Sequence, residues 1–60
     1  MTAAEVRAAR LALGMTQERL AVALGFGPHR SRISEIETGR KPLSKSKALL
    51  LKQVLLTRPR

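Results

Sequence analysis

Glycines at 14, 25 and 39, with prolines at 28 and 42, cut this chain into four stretches, each long enough for a single short element. Within those stretches the apolar residues recur at helical spacing, and none alternates as a strand would. From Thr2 to Leu13 strong helix formers predominate, with Val6, Ala9 and Leu13 at i, i+3 and i+7. Thr2 followed three residues later by Glu5 has the form of a capping box, and Gly14 suits the left-handed residue that closes a helix. Thr16 predicts the next N-cap, with Gln17 and Glu18 in a first turn where a carboxylate complements the helix dipole. Leu20, Ala21 and Leu24 form the buried face of that second helix, and Gly25 ends it. Phe26 to His29 reads as a connection, with Phe26 a plug for the core beneath the turn. A third helix begins between Pro28 and Ser31, capped by either Gly27 or Ser31. Ile33 and Ile36 are its apolar pair and Gly39 its closing residue. Ser44 caps a fourth helix running to about Thr57, beyond which Pro59 stops any helical run. The expected fold is an all-α domain of four short helices over residues 1–57, with a tail at 58–60.

Size limits what supports such a fold. Sixty residues make one small domain, because a chain of this length buries only about 60% of the surface it exposes unfolded. Disulfides, a structural metal or oligomerisation are the usual supports. With no cysteine, one histidine and four acidic residues, all glutamates, neither a disulfide nor a metal site is expected. Packed helices remain, with a second copy of the chain as a further support. The hydrophobic content of 43% is ordinary for a globular domain and too high for a disordered basic tail.

The net charge is +8, and it is lopsided: nine of the twelve basic residues lie beyond residue 27. Such a field points to a polyanion, nucleic acid ahead of an anionic membrane surface. A single aromatic residue argues against recognition of single-stranded RNA, which relies on several stacking rings. No apolar run approaches the length that spans a bilayer, and residues 1–13 lack the apolar core of a signal peptide, so a cytoplasmic protein is expected. Catalysis is not expected either, and no cofactor is implied. Glu35 and Glu37 stand two apart on a helix and point to different sides, and no nucleophile is accompanied by its base.

The run Met15-Thr-Gln-Glu-Arg-Leu-Ala-Val-Ala-Leu-Gly25, followed by Ile33-Ser-Glu-Ile-Glu-Thr-Gly-Arg-Lys-Pro42, resembles the helix-turn-helix of phage-repressor-type (Cro/C1, XRE-like) transcriptional regulators. The likeness extends over roughly residues 3–56. Two departures stand out: the spacer Phe26–Arg32 is two residues longer than is common in that family, and the fifth helix many members carry is absent or vestigial. The resemblance implies a lambda-repressor-like fold of bacterial or phage origin, associated with the nucleoid. It implies a transcriptional regulator of double-stranded DNA, acting as a repressor and binding a near-palindromic operator as a homodimer. Helix three would enter the major groove, with half-sites about 34 Å apart.

On that reading the polar side of helix three carries the base contacts: Arg30, Ser31, Arg32, Ser34 and Glu35. Arginine matches guanine O6 and N7, glutamate accepts from the cytosine N4 amine, and serine serves a base or a phosphate. The plainer alternative for Arg32 and Glu35 is a surface i, i+3 ion pair. Gln17 occupies the family's phosphate-contact position at the start of helix two, where backbone N–H groups are free. Arg40, Lys41 and Lys45, flanking the end of helix three, are further candidate phosphate contacts, as is His29 in the turn. Such contacts position the domain without reading sequence. Lys47 and Lys52 are equally well explained as a solvated face. Arg10 and Glu37 match a family ion pair that ties helix one to helix three. Leu49, Leu50, Val54 and Leu56 make helix four a candidate dimer surface, although Leu49 and Leu56 would also serve to finish the monomer core. A competing reading makes the chain an antitoxin-like or adaptor module whose leucine-rich helix four docks on another protein. Membrane binding is opposed by the lack of interfacial aromatic residues.

Overall fold

The computed structural model describes residues 1–57; the tail 58–60, with the expected stop at Pro59, lies outside them. Four helices follow one another: α1 (Ala3–Ala12), α2 (Gln17–Ala23), α3 (Arg30–Glu37) and α4 (Lys45–Thr57). No strand occurs among the described residues.

Local chemistry starts three of the helices. At α1 the Thr2 hydroxyl accepts from the Glu5 N–H at 3.2 Å, while the Thr2 N–H donates to Glu5 Oε1 at 2.9 Å, a complete capping box. These bonds, the one from the Thr2 backbone foremost, hold the Glu5 carboxyl below its ordinary pKa. The Thr16 hydroxyl accepts from the Arg19 N–H at 3.1 Å, and Ser44 Oγ from the Lys47 N–H at 3.3 Å. α3 starts within the expected window, at Arg30, but its cap departs from expectation. Neither Gly27 nor Ser31 caps it: His29 occupies the N-cap without a side-chain bond, and Ser31 is the second helical residue. The reason lies in Pro28, which forms the middle of a tight turn closed by His29 N–H on Gly27 O at 2.8 Å. The helix begins only after that turn, so the long Phe26–Arg32 spacer divides between the turn and the first residues of α3.

Three helices end in one way. After Gly14, Gly25 and Gly39 the next residue donates back to the carbonyl five before it: Met15 to Arg10 (3.1 Å), Phe26 to Ala21 (2.9 Å) and Arg40 to Glu35 (2.9 Å). Gly25 shows why glycine is needed. Its φ is +84°, and a Cβ added there would lie 3.1 Å from Lys47 Nζ.

All four helices supply the core: Val6 and Ala9, then Leu20, Ala21 and Leu24, then Ile33 and Ile36, and finally Leu51. Leu13, Met15, Phe26, Leu43, Leu50 and Leu55 pack around them, which places Phe26 as the plug its position suggested. Leu49 and Leu56 do not finish this core; they remain 62% and 85% exposed. The recognition-helix candidate α3 is held by α2 and α1 together.

Candidate nucleic-acid interface

Ile33 and Ile36 are buried, and that anchors one side of α3 so firmly that its other side has a fixed outlook. Arg30, Ser31 and Arg32 are exposed around the first turn of α3, while Ser34 and Glu35 are half-buried. A second restraint fixes the far end of the helix. Arg10 Nε donates to Glu37 Oε2 at 2.8 Å and its Nη2 to Glu37 Oε1 at 3.2 Å, a two-pronged pair with side chains only 15% and 6% exposed. Arg10 Nη1 also donates to the Met15 carbonyl at 3.1 Å, so one guanidinium joins α1, the α1–α2 connection and the end of α3. The hydrogen bonds with Glu37 raise the Arg10 pKa above its ordinary value. Nothing in the local sequence pattern marks the Met15 carbonyl as the one an arginine five residues earlier reaches.

The predicted contact residues fall into distinct groups. Gln17 and Arg30 line one depression with Arg10, Thr16 and Glu18, where the starts of α2 and α3 meet. Gln17 opens α2 directly after its cap and is half-buried. The N-terminal end of a helix presents backbone N–H groups and partial positive charge, which favours an anion. Glu18 in the same depression opposes it. Ser34, Glu35 and Arg40 line a second depression with Thr38. Thr38 is fixed there, its hydroxyl donating to the Ser34 carbonyl at 2.9 Å. His29, Arg40 and Lys41 are exposed around the two ends of α3. Lys45 lines a different depression, formed with Met1, Ala48, Leu49 and Lys52 on α4.

Two side chains differ from the sequence reading. Glu35 does not wait for Arg32: it pairs with Lys41, Nζ to Oε2 at 3.1 Å, because the turn after Gly39 folds Lys41 back over the last turn of α3. Both side chains retain enough exposure for water to screen the pair, so it contributes little stability. Lys47 is not a solvated side chain. It is half-buried, its ammonium donates to the Leu24 carbonyl at 2.6 Å, and it sits 5.1 Å from the centroid of the Phe26 ring. One signal for this was present in the sequence. A lysine in the first turn of a helix sits at the positive end of the dipole, where a cation is disfavoured unless something else holds it.

On α4, Leu49 and Leu56 stand out from the surface, while Leu50 and Val54 are half-buried and Leu50 packs against the core. Leu56 and Leu55 also border a shallow groove with Met1, Ala8 and Ala12 of α1. Among the described residues no cluster of three or more His, Asp or Glu side chains is placed to hold a metal ion, and no helix is long and apolar enough to cross a membrane.

The comparison with protein families matches residues 6–59 to one described as Helix-turn-helix. No curated protein and no solved structure matches the chain. A match over most of the chain, on four helices with α2 and α3 packed as a pair, settles its kinship. The chain belongs to the Cro/C1-type (XRE-like) helix-turn-helix family, a family of DNA-binding transcription regulators rather than of enzymes.

Proposed function

We propose that this chain is a cytoplasmic, nucleoid-associated repressor that binds a near-palindromic operator as a homodimer. Arg30, Ser31, Arg32, Ser34 and Glu35 read base edges in the major groove, and Gln17, His29, Arg40, Lys41 and Lys45 meet the phosphates. One observation carries the reading. Arg30, Ser31 and Arg32 are left to solvent around the first turn of α3 while Ile33 and Ile36 are buried, on a helix restrained at its far end by Arg10. A surface built only for solubility has no need of a helix fixed at that angle. Lys41 engages Oε2 of Glu35, and Oε1 remains to accept from a cytosine amine. The test is a titration against a selected operator and a scrambled duplex at several salt concentrations. A large affinity ratio is expected at every salt, and equal affinities throughout would overturn sequence-specific regulation.

Leu49 and Leu56 support the dimer, because two large apolar side chains left at 62% and 85% exposure on so small a domain mark a contact. The same observation favours the second reading, an antitoxin-like or adaptor role in which α4 docks on another protein. Sedimentation equilibrium of the purified chain separates them: a clean homodimer supports the first, and a monomer that co-purifies with a stoichiometric partner from its host supports the second.

A further inference from the structure

We infer that Lys47 of α4 is a positioning residue for the recognition helix, holding the α2–α3 turn in the shape that aims α3 at DNA. The inference rests on the DNA-reading role proposed above, and adds to it a residue outside the helix-turn-helix itself.

The geometry has three parts. The closing bonds of α2 satisfy the Ala21 and Val22 carbonyls, through the Phe26 and Gly25 N–H groups at 2.9 and 3.1 Å. The Leu24 carbonyl, two residues further on at the negative end of the helix, is taken by the Lys47 ammonium at 2.6 Å. The same ammonium lies 5.1 Å from the centre of the Phe26 ring, within the range of a cation–π attraction. Lys47 therefore touches both sides of Gly25, the residue at which the chain leaves α2. From there four residues remain, Phe26 to His29, before α3 begins.

Phe26 is also held by the core and by its bond to the Ala21 carbonyl, but the three residues after it have little else to hold them. His29 caps α3 with no side-chain bond, and the turn is closed by the Gly27–His29 hydrogen bond. Arg32 N–H on His29 O at 3.0 Å is the first bond of the helix, so any drift of the turn passes directly to Arg30, Ser31 and Arg32. Lys47 is itself placed against the interest of its own helix, in the first turn of α4, which contains no acidic residue. Its energetic return is at the end of α2, and that is a tertiary, not a local, contact. Its ammonium faces a carbonyl and a ring, which separates it from the cations offered to phosphate.

Two variants test the assignment. Lys47→Met keeps much of the side chain's apolar length and removes both the donor and the charge; Lys47→Arg keeps both. In the free protein, amide hydrogen exchange at Phe26, His29 and Arg32 should accelerate at least tenfold in Lys47→Met, while Met15, closing α1, changes by less than twofold. Lys47→Arg should restore most of the protection. On DNA, Lys47→Met should lose roughly tenfold in operator-over-scrambled discrimination with an unchanged salt slope. Uniform acceleration across all amides, or none at His29 and Arg32, overturns the assignment. So does a salt slope that falls by about one with discrimination intact, the mark of a phosphate contact. If Lys47→Met does not fold, Lys47→Gln, which keeps a donor and loses the charge, should show the same local pattern at smaller amplitude. A wild-type amide pattern in Lys47→Gln overturns the assignment. If the wild-type chain itself fails to discriminate operator from scrambled duplex, the DNA reading has failed, and the exchange pattern still decides whether Lys47 holds the turn.

Discussion

Glu37→Ala should be among the most damaging single substitutions outside the apolar core. Removing the carboxylate leaves the Arg10 guanidinium at 15% exposure with a single remaining partner, the Met15 carbonyl at 3.1 Å. Stranding one member of a buried pair costs about 3–5 kcal/mol. The lower end applies, because Arg10 keeps one bond and has some access to water, so about 3 kcal/mol is expected. A domain of this size has a total stability of about 3–9 kcal/mol. At about 4–8 °C per kcal/mol the midpoint should fall by about 12–24 °C. Thermal unfolding of Glu37→Ala checks the midpoint, and urea unfolding of the wild type, Arg10→Met, Glu37→Leu and the double variant supplies a cycle on the pair, with an unchanged m-value as the check that only stability moved.

The double variant is the informative corner of that cycle. Replacing a buried pair by apolar residues of similar volume is often neutral, whereas removing one partner is not. Coupling of about 2 kcal/mol or more between the two positions is therefore expected. Two single variants costing under about 1 kcal/mol each, with coupling near zero, would mean that the pair behaves as a solvated surface bridge and that α3 is oriented by Ile33 and Ile36 alone.

Three further outcomes follow from particular contacts. Glu5 titrates below its ordinary value of 4.5, so its contribution to α1 is complete above that value and fades as pH falls through the lower folded-state value. Urea midpoints between pH 6 and pH 2 should show that loss, and Glu5→Gln should remove it; the same acid slope in the variant would refute the capping-box account. Glu35→Ala should relax base preference at one operator position in a selection experiment, whereas Arg40→Ala should weaken binding to all sequences and flatten the salt slope by about one. An unaltered selection profile for the first, or an unaltered slope for the second, removes that residue from its role. Leu56→Lys should leave the unfolding midpoint within the range of surface substitutions, about 0.5 kcal/mol, while shifting a dimer toward monomer by sedimentation; an unchanged assembly would clear α4 of the dimer contact.

What the sequence made legible was whatever is decided within a few residues. Thr2, Thr16 and Ser44 announce helix starts because their hydroxyls bond three residues ahead. The closing glycines announce helix ends for an equally local reason. The buried faces of Leu20, Ala21, Leu24, Ile33 and Ile36 follow from helical spacing. The start of α3 falls inside the window the sequence sets, Pro28 to Ser31, but its cap does not follow the sequence: Gly27 and Ser31 are the residues offered, and the turn at Pro28 leaves His29 in that place. For Glu35 the i, i+3 spacing offers Arg32 as the alternative to a base contact, whereas the chain reversal at Gly39 brings Lys41 to it. Arg10 and Glu37, twenty-seven residues apart, were paired through family resemblance. Lys47 had no such guide to Leu24.

The basic residues are consequently not one population, and the net charge of +8 is a poor description of what a duplex meets. Arg10 and Lys47 face inward to a carboxylate, to backbone carbonyls and to a ring, where they fix the two ends of the helix pair. Lys41 is held by Glu35. Arg30 and Arg32 are exposed on different flanks of α3, and Arg40 at its end, where rotation of the helix by even a fraction of a turn changes what they reach. Orientation therefore matters more than total charge. Substituting an inward cation should degrade discrimination between sequences while leaving general attraction to DNA in place; substituting an outward one at a phosphate should do the reverse. Composition alone assigns all twelve to the same task, and only the fold separates the residues bonded inward from those left exposed to a partner.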